Sequence, residues 1–218
     1  MNGEITVTGQ YDELKEIIIS GNQAAAIDIV KKMIDSGEEP KKIMDVSLVP
    51  AMDTVGEKFQ NNEFFIPELL VAARAMEGAL AVLQPLLAEG DSEPTGKFLI
   101  GTVKGDLHDI GKNIVSAMMK GAGFEIIDLG VDVDSKKFAQ KIEETNPDIV
   151  GISALLTTTM REMKDTIQQI ESAGLRNKVK IMVGGAPLTQ EYADEIGADA
   201  FGKDAAEAVK KAKALIGK

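Results

Sequence analysis

The chain contains a single histidine, His108, and no cysteine. His108 lies in the stretch Lys104-Gly105-Asp106-Leu107-His108-Asp109-Ile110-Gly111. An imidazole that ligates a metal through one ring nitrogen needs the other nitrogen oriented, and a carboxylate is the usual partner. Asp106, two positions earlier, can accept that ring N–H. Gly105 and Gly111 leave room for a bulky ligand against the backbone. With one imidazole and no thiolate, a bare transition-metal ion would be held weakly. A metal already caged in a macrocycle needs only an axial ligand, so these residues favour a macrocyclic cofactor. The competing reading is a loop histidine that is merely solvated or packed.

Two other local sequences stand out. Ser153-Ala154-Leu155-Leu156-Thr157-Thr158-Thr159 is rich in hydroxyls, and Gly184-Gly185-Ala186-Pro187 carries a double glycine. Serine and threonine are common helix N-caps, and one of the three threonines is expected to serve as one. A single cap does not require so many hydroxyls. The others could bind polar parts of a ligand, a phosphate included. A double glycine is often only a turn, but at the end of a strand it also permits close ligand approach.

These segments must be positioned by a scaffold, and the sequence pattern supplies one. Short apolar runs at Phe98–Val103, Glu125–Leu129, Asp148–Ser153, Lys180–Val183 and Ala200-Phe201 read as parallel strands. Helical segments follow them at about Gly111–Lys120, Ser135–Thr145, Thr158–Ala173, Thr189–Ile196 and Ala205–Ile216. Five such units make a doubly wound sheet with helices on both faces. By analogy, a flavodoxin-like (Rossmann-type) order 2-1-3-4-5 is expected. The loops after the first, third and fourth strands then line one crevice at the topological switch point. These loops hold His108, the hydroxyl run and the double glycine.

The first half reads as helix throughout. A short helix covers Tyr11 to Ile19. Asn22 caps a second that runs to Ser36, with Ala24, Ile27, Val30 and Ile34 at helical spacing. Pro40 opens a third, which carries Ile43, Val46, Leu48 and Met52 and is expected to kink or break at Pro50. Pro67 opens the fourth, Leu69 through Leu87. Such helices form a four-helix bundle. Gly90-Asp91-Ser92-Glu93-Pro94-Thr95-Gly96 is dense in turn formers. The expected organisation is therefore a helical domain at 1–89, a linker at 90–96 and an α/β domain at 97–218.

Composition narrows the function. The 218 residues suit one or two domains. A net charge of -11 would repel phosphate backbones and anionic membranes, so neither nucleic acid nor membrane is an expected partner. No apolar run is long enough to span a bilayer, and the start Met1-Asn2-Gly3-Glu4 lacks the pattern of a secretory signal. A cytoplasmic location is expected.

Asp106-x-His108-x-x-Gly111, Ser153-x-Leu155 and Gly184-Gly185 together resemble the signature of the cobalamin-binding domain of methyltransferases and mutases. The stretch Gly105 to Val115 is similar to the methyltransferase branch. Phe64-Phe65-Ile66-Pro67-Glu68-Leu69-Leu70, with Ala72-Ala73-Arg74-Ala75-Met76, resembles the helical cap that precedes this fold in methionine synthase and in free-standing corrinoid proteins. The resemblance covers almost the whole chain.

The resemblance implies a corrinoid protein of multi-component methyltransferase systems. Its cofactor would be cobalamin or a related corrinoid, alternating between methylcobalamin and a cobalt(I) form. The cofactor's own base would leave the metal and enter a slot beside the sheet, and His108 would become the lower axial cobalt ligand. Asp106 would hold the other ring N–H. Thr159 stands where the family places a serine that hydrogen-bonds the carboxylate; it keeps the hydroxyl and adds a methyl group. Gly105, Leu107, Asp109, Ile110 and Gly111 would complete the loop beneath the corrin. Ser153, Leu155 and Thr157 would line the slot, with Gly184 and Gly185 near the nucleotide tail. Phe65 would lie over the upper face, unless it belongs to the bundle core.

Three partners are implied: a donor-specific methyltransferase, an acceptor methyltransferase using tetrahydrofolate or coenzyme M, and a reductive activator. The donor would be a methylamine, methanol, a betaine or an aryl methyl ether. The chain would not be a complete enzyme on its own, and its helical domain would swing on the linker. The alternatives are a cobalamin-dependent regulator or sensor, the small subunit of an adenosylcobalamin mutase, and a flavodoxin-like protein with another ligand.

Overall fold

The computed structural model describes residues 7–87 and 94–217. The chain divides into two compact units, Met1–Glu93 and Pro94–Lys218. Of the segment expected as a linker, residues 90–93 lie outside the described residues.

The first unit is helical: α1 (Val7–Ile19), α2 (Gln23–Asp35), α3 (Pro40–Ile43), α4 (Val49–Gln60) and α5 (Ile66–Leu87). A π-helical turn, Met44–Leu48, joins α3 to α4, so residues 40–60 run as one rod and the described residues of the unit form four rods. Pro50 explains the turn. It has no N–H, and in a regular helix its ring presses on the carbonyl four residues back. The wider π turn absorbs this, with the Val49 N–H reaching the Met44 carbonyl. The helix therefore continues through Pro50. The added residue rotates Val46 outward, where it is 49% exposed, while Ile43, Leu48 and Met52 are buried as expected.

Asn22 caps α2 by accepting the Ala25 N–H at 3.2 Å. The buried stripe of α2 is Ala26, Ile29, Val30 and Met33. The expected stripe lay slightly around the helix: Ala24 is exposed, and Ile27 and Ile34 lie at its margin. On α5, Leu69, Ala72, Met76, Ala79 and Leu83 are buried at alternating three- and four-residue spacing, the pattern of a helix packed along its length. Burying each large member contributes roughly 1.5–3 kcal/mol. A Cβ at Gly78 would meet Gln23 Cγ at 2.7 Å, so α5 approaches α2 closely there.

The second unit alternates β1 (Lys97–Thr102), α6 (Ile110–Gly121), β2 (Glu125–Asp128), α7 (Ser135–Thr145), β3 (Ile149–Ser153), α8 (Met160–Ser172), β4 (Lys180–Gly184), α9 (Gln190–Glu195), β5 (Ala200–Gly202) and α10 (Ala205–Leu215). The sheet is parallel with order β2-β1-β3-β4-β5. Leu99, Val150, Ile152, Ile181 and Val183 form one face, covered by Phe138 and Ile142 of α7, Met163 and Ile167 of α8, and Ala193 of α9. Helices α6 and α10 pack together and against the sheet on the other side. There Phe98 meets Phe124 edge-on, with ring centroids 6.3 Å apart.

The register positions the site. Thr102 pairs with Ser153, Ser153 with Gly184, and Gly184 with Gly202. The strand ends thus form one row, and the three chemically unusual loops leave the sheet side by side.

Candidate functional site

Asp106 is the centre of the site. It is wholly buried (0% exposed), and its carboxylate joins two loops. Oδ1 accepts the His108 backbone N–H at 3.1 Å and lies 2.8 Å from His108 Nδ1. Oδ2 accepts the Leu155 N–H at 2.8 Å, the Leu156 N–H at 3.2 Å and the Thr159 hydroxyl at 2.7 Å. Burial pushes the pKa of Asp106 up, but the bonds from Leu155, Thr159 and His108 outweigh it and hold the carboxyl well below the usual carboxylate range. An ionised carboxylate has no proton to donate. His108 Nδ1 must therefore carry the hydrogen, which leaves Nε2 as the nitrogen available to a metal.

Thr159 occupies the N-cap position of α8, yet its side chain makes no cap bond. Its hydroxyl lies 2.7 Å from Asp106 and 2.9 Å from the Leu156 carbonyl. It has one proton, and the ionised carboxylate is the stronger acceptor. The cap expected of a threonine here is given up to the site.

The backbone of the histidine loop is fixed as firmly. The Thr102 hydroxyl donates to the His108 carbonyl at 3.0 Å. Asp132, on the loop after β2, accepts the Gly105 N–H at 2.7 Å and donates its own N–H to the Asp106 carbonyl at 3.0 Å. Lys112 is only 3% exposed and is paired with Asp128 at the end of β2. Its ammonium also donates to Asn113 at 2.8 Å, and Asn113 donates to Asp109 at 3.1 Å. This chain of bonds ties Asp109 to the end of β2. Sequence reasoning missed Thr102, Asp132, Lys112 and Asp128. The one available signal was Thr102, a polar residue closing an apolar strand.

The remaining candidates fall as follows. Leu107 and Ile110 are 72% exposed, and Leu155 and Leu156 are 41% and 42% exposed. Asp109 caps α6 by position, and Thr157 is exposed. Ser153 is half-buried at the end of β3. A Cβ at Gly184 would lie 3.2 Å from the Gly202 carbonyl oxygen. Gly185 has φ +142°, and a Cβ there would stand 1.8 Å from the Ala154 carbonyl oxygen, so only glycine fits. Phe65 lies in the helical unit just before α5. It is 62% exposed, which excludes it from that unit's core, and its N–H donates to Glu68 at 3.0 Å.

A family model described as a B12 binding domain matches residues 96–210, and a second of the same description matches residues 10–84. A dimethylamine corrinoid protein of Methanosarcina barkeri is 46% identical over 206 residues, covering 94% of this chain and 96% of that protein. The chain belongs to the B12-binding family of corrinoid proteins. Among solved structures, a cobalamin-binding protein from Desulfitobacterium hafniense superposes with TM-score 0.80 at 33% identity, covering 94% of this chain and 98% of that one. A chain of the methanol:cobalamin methyltransferase complex from Methanosarcina barkeri superposes with TM-score 0.83 at 25% identity, covering 98% and 86%.

The residues present fit a corrinoid. A flat, largely apolar macrocycle needs one axial donor and an apolar bed. His108, its side chain half exposed, offers Nε2, and Leu107, Ile110, Leu155 and Leu156 expose large apolar side chains on the same two loops. A Cβ at Gly111 would meet nothing within 4 Å, so the space beside that backbone is open. Among the described residues no group of three or more His, Asp or Glu side chains could hold a metal ion. Among them, too, no helix is long and apolar enough to cross a membrane.

Proposed function

We propose that this corrinoid protein carries a methyl group on the metal of its cofactor from a donor-specific methyltransferase to an acceptor methyltransferase. The observation that carries the reading is the His108–Asp106–Thr159 chain. It presents one imidazole nitrogen from a loop pinned on every side. The similar proteins named for dimethylamine and for methanol:cobalamin methyltransferase point the same way. The donor is accordingly a methylamine or a similar small methylated compound, and the acceptor is tetrahydrofolate or coenzyme M. A reductive activator is a third partner.

The bound corrinoid supplies a metal that accepts and releases the methyl group. The protein's part is positional and electrostatic. His108 would hold the cofactor's metal through Nε2. Asp106 keeps the proton on Nδ1 and raises the basicity of Nε2. Thr159 and the Leu155 and Leu156 amides keep Asp106 ionised. Gly105, Leu107, Asp109, Ile110 and Gly111 form the bed for the macrocycle. Ser153, Leu155, Thr157, Gly184 and Gly185 would hold the cofactor's nucleotide portion. We assign residues 1–89 as the cap, 90–96 as the linker and 97–218 as the cofactor domain, with Phe65 as the cap's aromatic contact.

Reconstitution with hydroxocobalamin, followed by ultraviolet-visible spectra of wild type and His108→Ala, tests the reading. Wild type should bind the cofactor with its own base displaced and the histidine bound. The variant should lose the histidine-bound spectrum. A wild-type protein that takes up no corrinoid, or a variant with an unchanged spectrum, refutes it.

A further inference from the structure

Asp132 contributes no side chain to the His108–Asp106–Thr159 chain, and it is exposed. Nothing about burial calls for an aspartate there. Yet its φ is +54°, in the left-handed region that residues other than glycine seldom adopt. Aspartate and asparagine tolerate that region better than most, because their short side chains bond locally. Here the side chain instead reaches across to the loop after β1.

Two bonds hold this conformation. Oδ1 accepts the Gly105 N–H at 2.7 Å, and the Asp132 N–H donates to the Asp106 carbonyl at 3.0 Å. Asp132 thus grips the peptide group entering Gly105 and the one leaving Asp106. Its neighbours continue the suture: the Gly130 carbonyl accepts the Thr102 N–H, and the Val133 N–H donates to the Thr102 carbonyl, both at 3.0 Å. The grip matters because Gly105 itself has φ +76° and no side chain to restrain it. Without the Asp132 carboxylate the Gly105 N–H loses its acceptor, and the turn that carries Asp106 loses one of the bonds that set its position.

We infer that Asp132 is a positioning residue for the histidine ligand: it fixes the Gly105–Asp106 backbone and, through the Asp106 carboxylate, sets the direction of the His108 ring toward the corrinoid metal. The inference rests on the function proposed above. It explains why a non-glycine residue keeps a rare backbone conformation on an exposed loop. The lateral offset of a few tenths of an ångström that such a clamp prevents is what an axial bond is sensitive to.

The single histidine makes the test clean. Protein grown with ¹⁵N-histidine is loaded with hydroxocobalamin and reduced to the paramagnetic cobalt(II) state. Its electron paramagnetic resonance spectrum is then recorded. An axial ¹⁵N splits each cobalt line into a doublet, whereas the cofactor's own unlabelled base gives a triplet. Wild type should give the doublet. Asp132→Ala should lose doublet intensity and bind hydroxocobalamin about tenfold more weakly, the scale of one lost hydrogen bond. Asp132→Gly should behave likewise, since it suits the backbone conformation but has no acceptor. Asp132→Asn keeps both the conformation and the acceptor and should retain the doublet. Thermal unfolding of the apo proteins confirms that each variant is folded. Alanine and glycine variants with the wild-type doublet and affinity overturn the inference, even if they melt earlier. An asparagine variant as impaired as alanine also overturns it. A wild type without the doublet refutes instead the proposed function on which the inference stands.

Discussion

The Thr102 hydroxyl, at the end of β1 and wholly buried, donates to the backbone carbonyl of His108 at 3.0 Å. The histidine is therefore held at three points: its ring and N–H by Asp106, and its carbonyl by Thr102. Thr102→Val keeps the shape of the side chain and removes the donor. It should cost about 1–2 kcal/mol, since the hydroxyl's bond is lost and a carbonyl loses its buried partner. Urea unfolding should show a lower midpoint with an unchanged slope, and Thr102→Ser should recover most of the loss. A valine variant as stable as wild type would remove Thr102 from this account.

Asp106 gives the fold a specific acid sensitivity. Burial raises its pKa, but the bonds from Leu155, Thr159 and His108 prevail, so it stays ionised far below its ordinary value of 3.8. The unfolded chain binds that proton near 3.8, whereas the folded chain binds it only at lower pH. The stabilisation is thus complete above about pH 5 and declines as pH falls from there toward the folded value. Asp106→Asn removes the titration and turns an amide N–H₂ toward groups that donate. We expect a loss of about 2–3 kcal/mol at neutral pH. Unfolding measured at about pH 7 and about pH 3 should show the gap between variant and wild type narrowing in acid. A gap of equal size at both values would contradict this account.

The legible parts of the site were those whose chemistry leaves a mark on residue type. A sole imidazole, a carboxylate two residues away, clustered hydroxyls and paired glycines are visible in one dimension. The apolar runs read as ending at Val103, Ser153 and Val183 placed them at one edge of a parallel sheet, and the strand ends pair there within a residue of those bounds. Other features left no such mark. Thr102 and Asp132 act on backbone groups, which every residue possesses. Lys112 sits on an amphipathic helix where a solvated lysine would be unremarkable; its burial follows only from Asp128 arriving on β2. Thr159 was legible only through the family resemblance, because its residue type alone also suits a helix cap and Asp106 is distant in sequence. In the helical unit, Val46 faces outward because a π turn before Pro50 shifts the register. On α2 two overlapping apolar stripes compete, and packing against α5 selects one.

Gly111 and Gly185 contrast open space beside a backbone with space that the fold fills. Gly111 is the second residue of α6, and an added Cβ would touch nothing within 4 Å. Gly111→Ala should leave the apo protein as stable as wild type or up to about 1 kcal/mol more stable, because alanine favours helix. If the open space serves the macrocycle, the same variant should bind hydroxocobalamin more weakly. At Gly185 both φ of +142° and the Ala154 carbonyl oxygen, 1.8 Å from an added Cβ, forbid a side chain. Gly185→Ala must push Ala154 away, and Ala154 precedes Leu155, whose N–H holds Asp106. It should destabilise the apo protein by more than about 2 kcal/mol and loosen the histidine through that route. Apo melting curves and hydroxocobalamin titrations of the two variants give opposite signatures: binding lost with stability kept for Gly111→Ala, and both lost for Gly185→Ala. Wild-type affinity in Gly111→Ala would mean that the cofactor does not use the space beside α6.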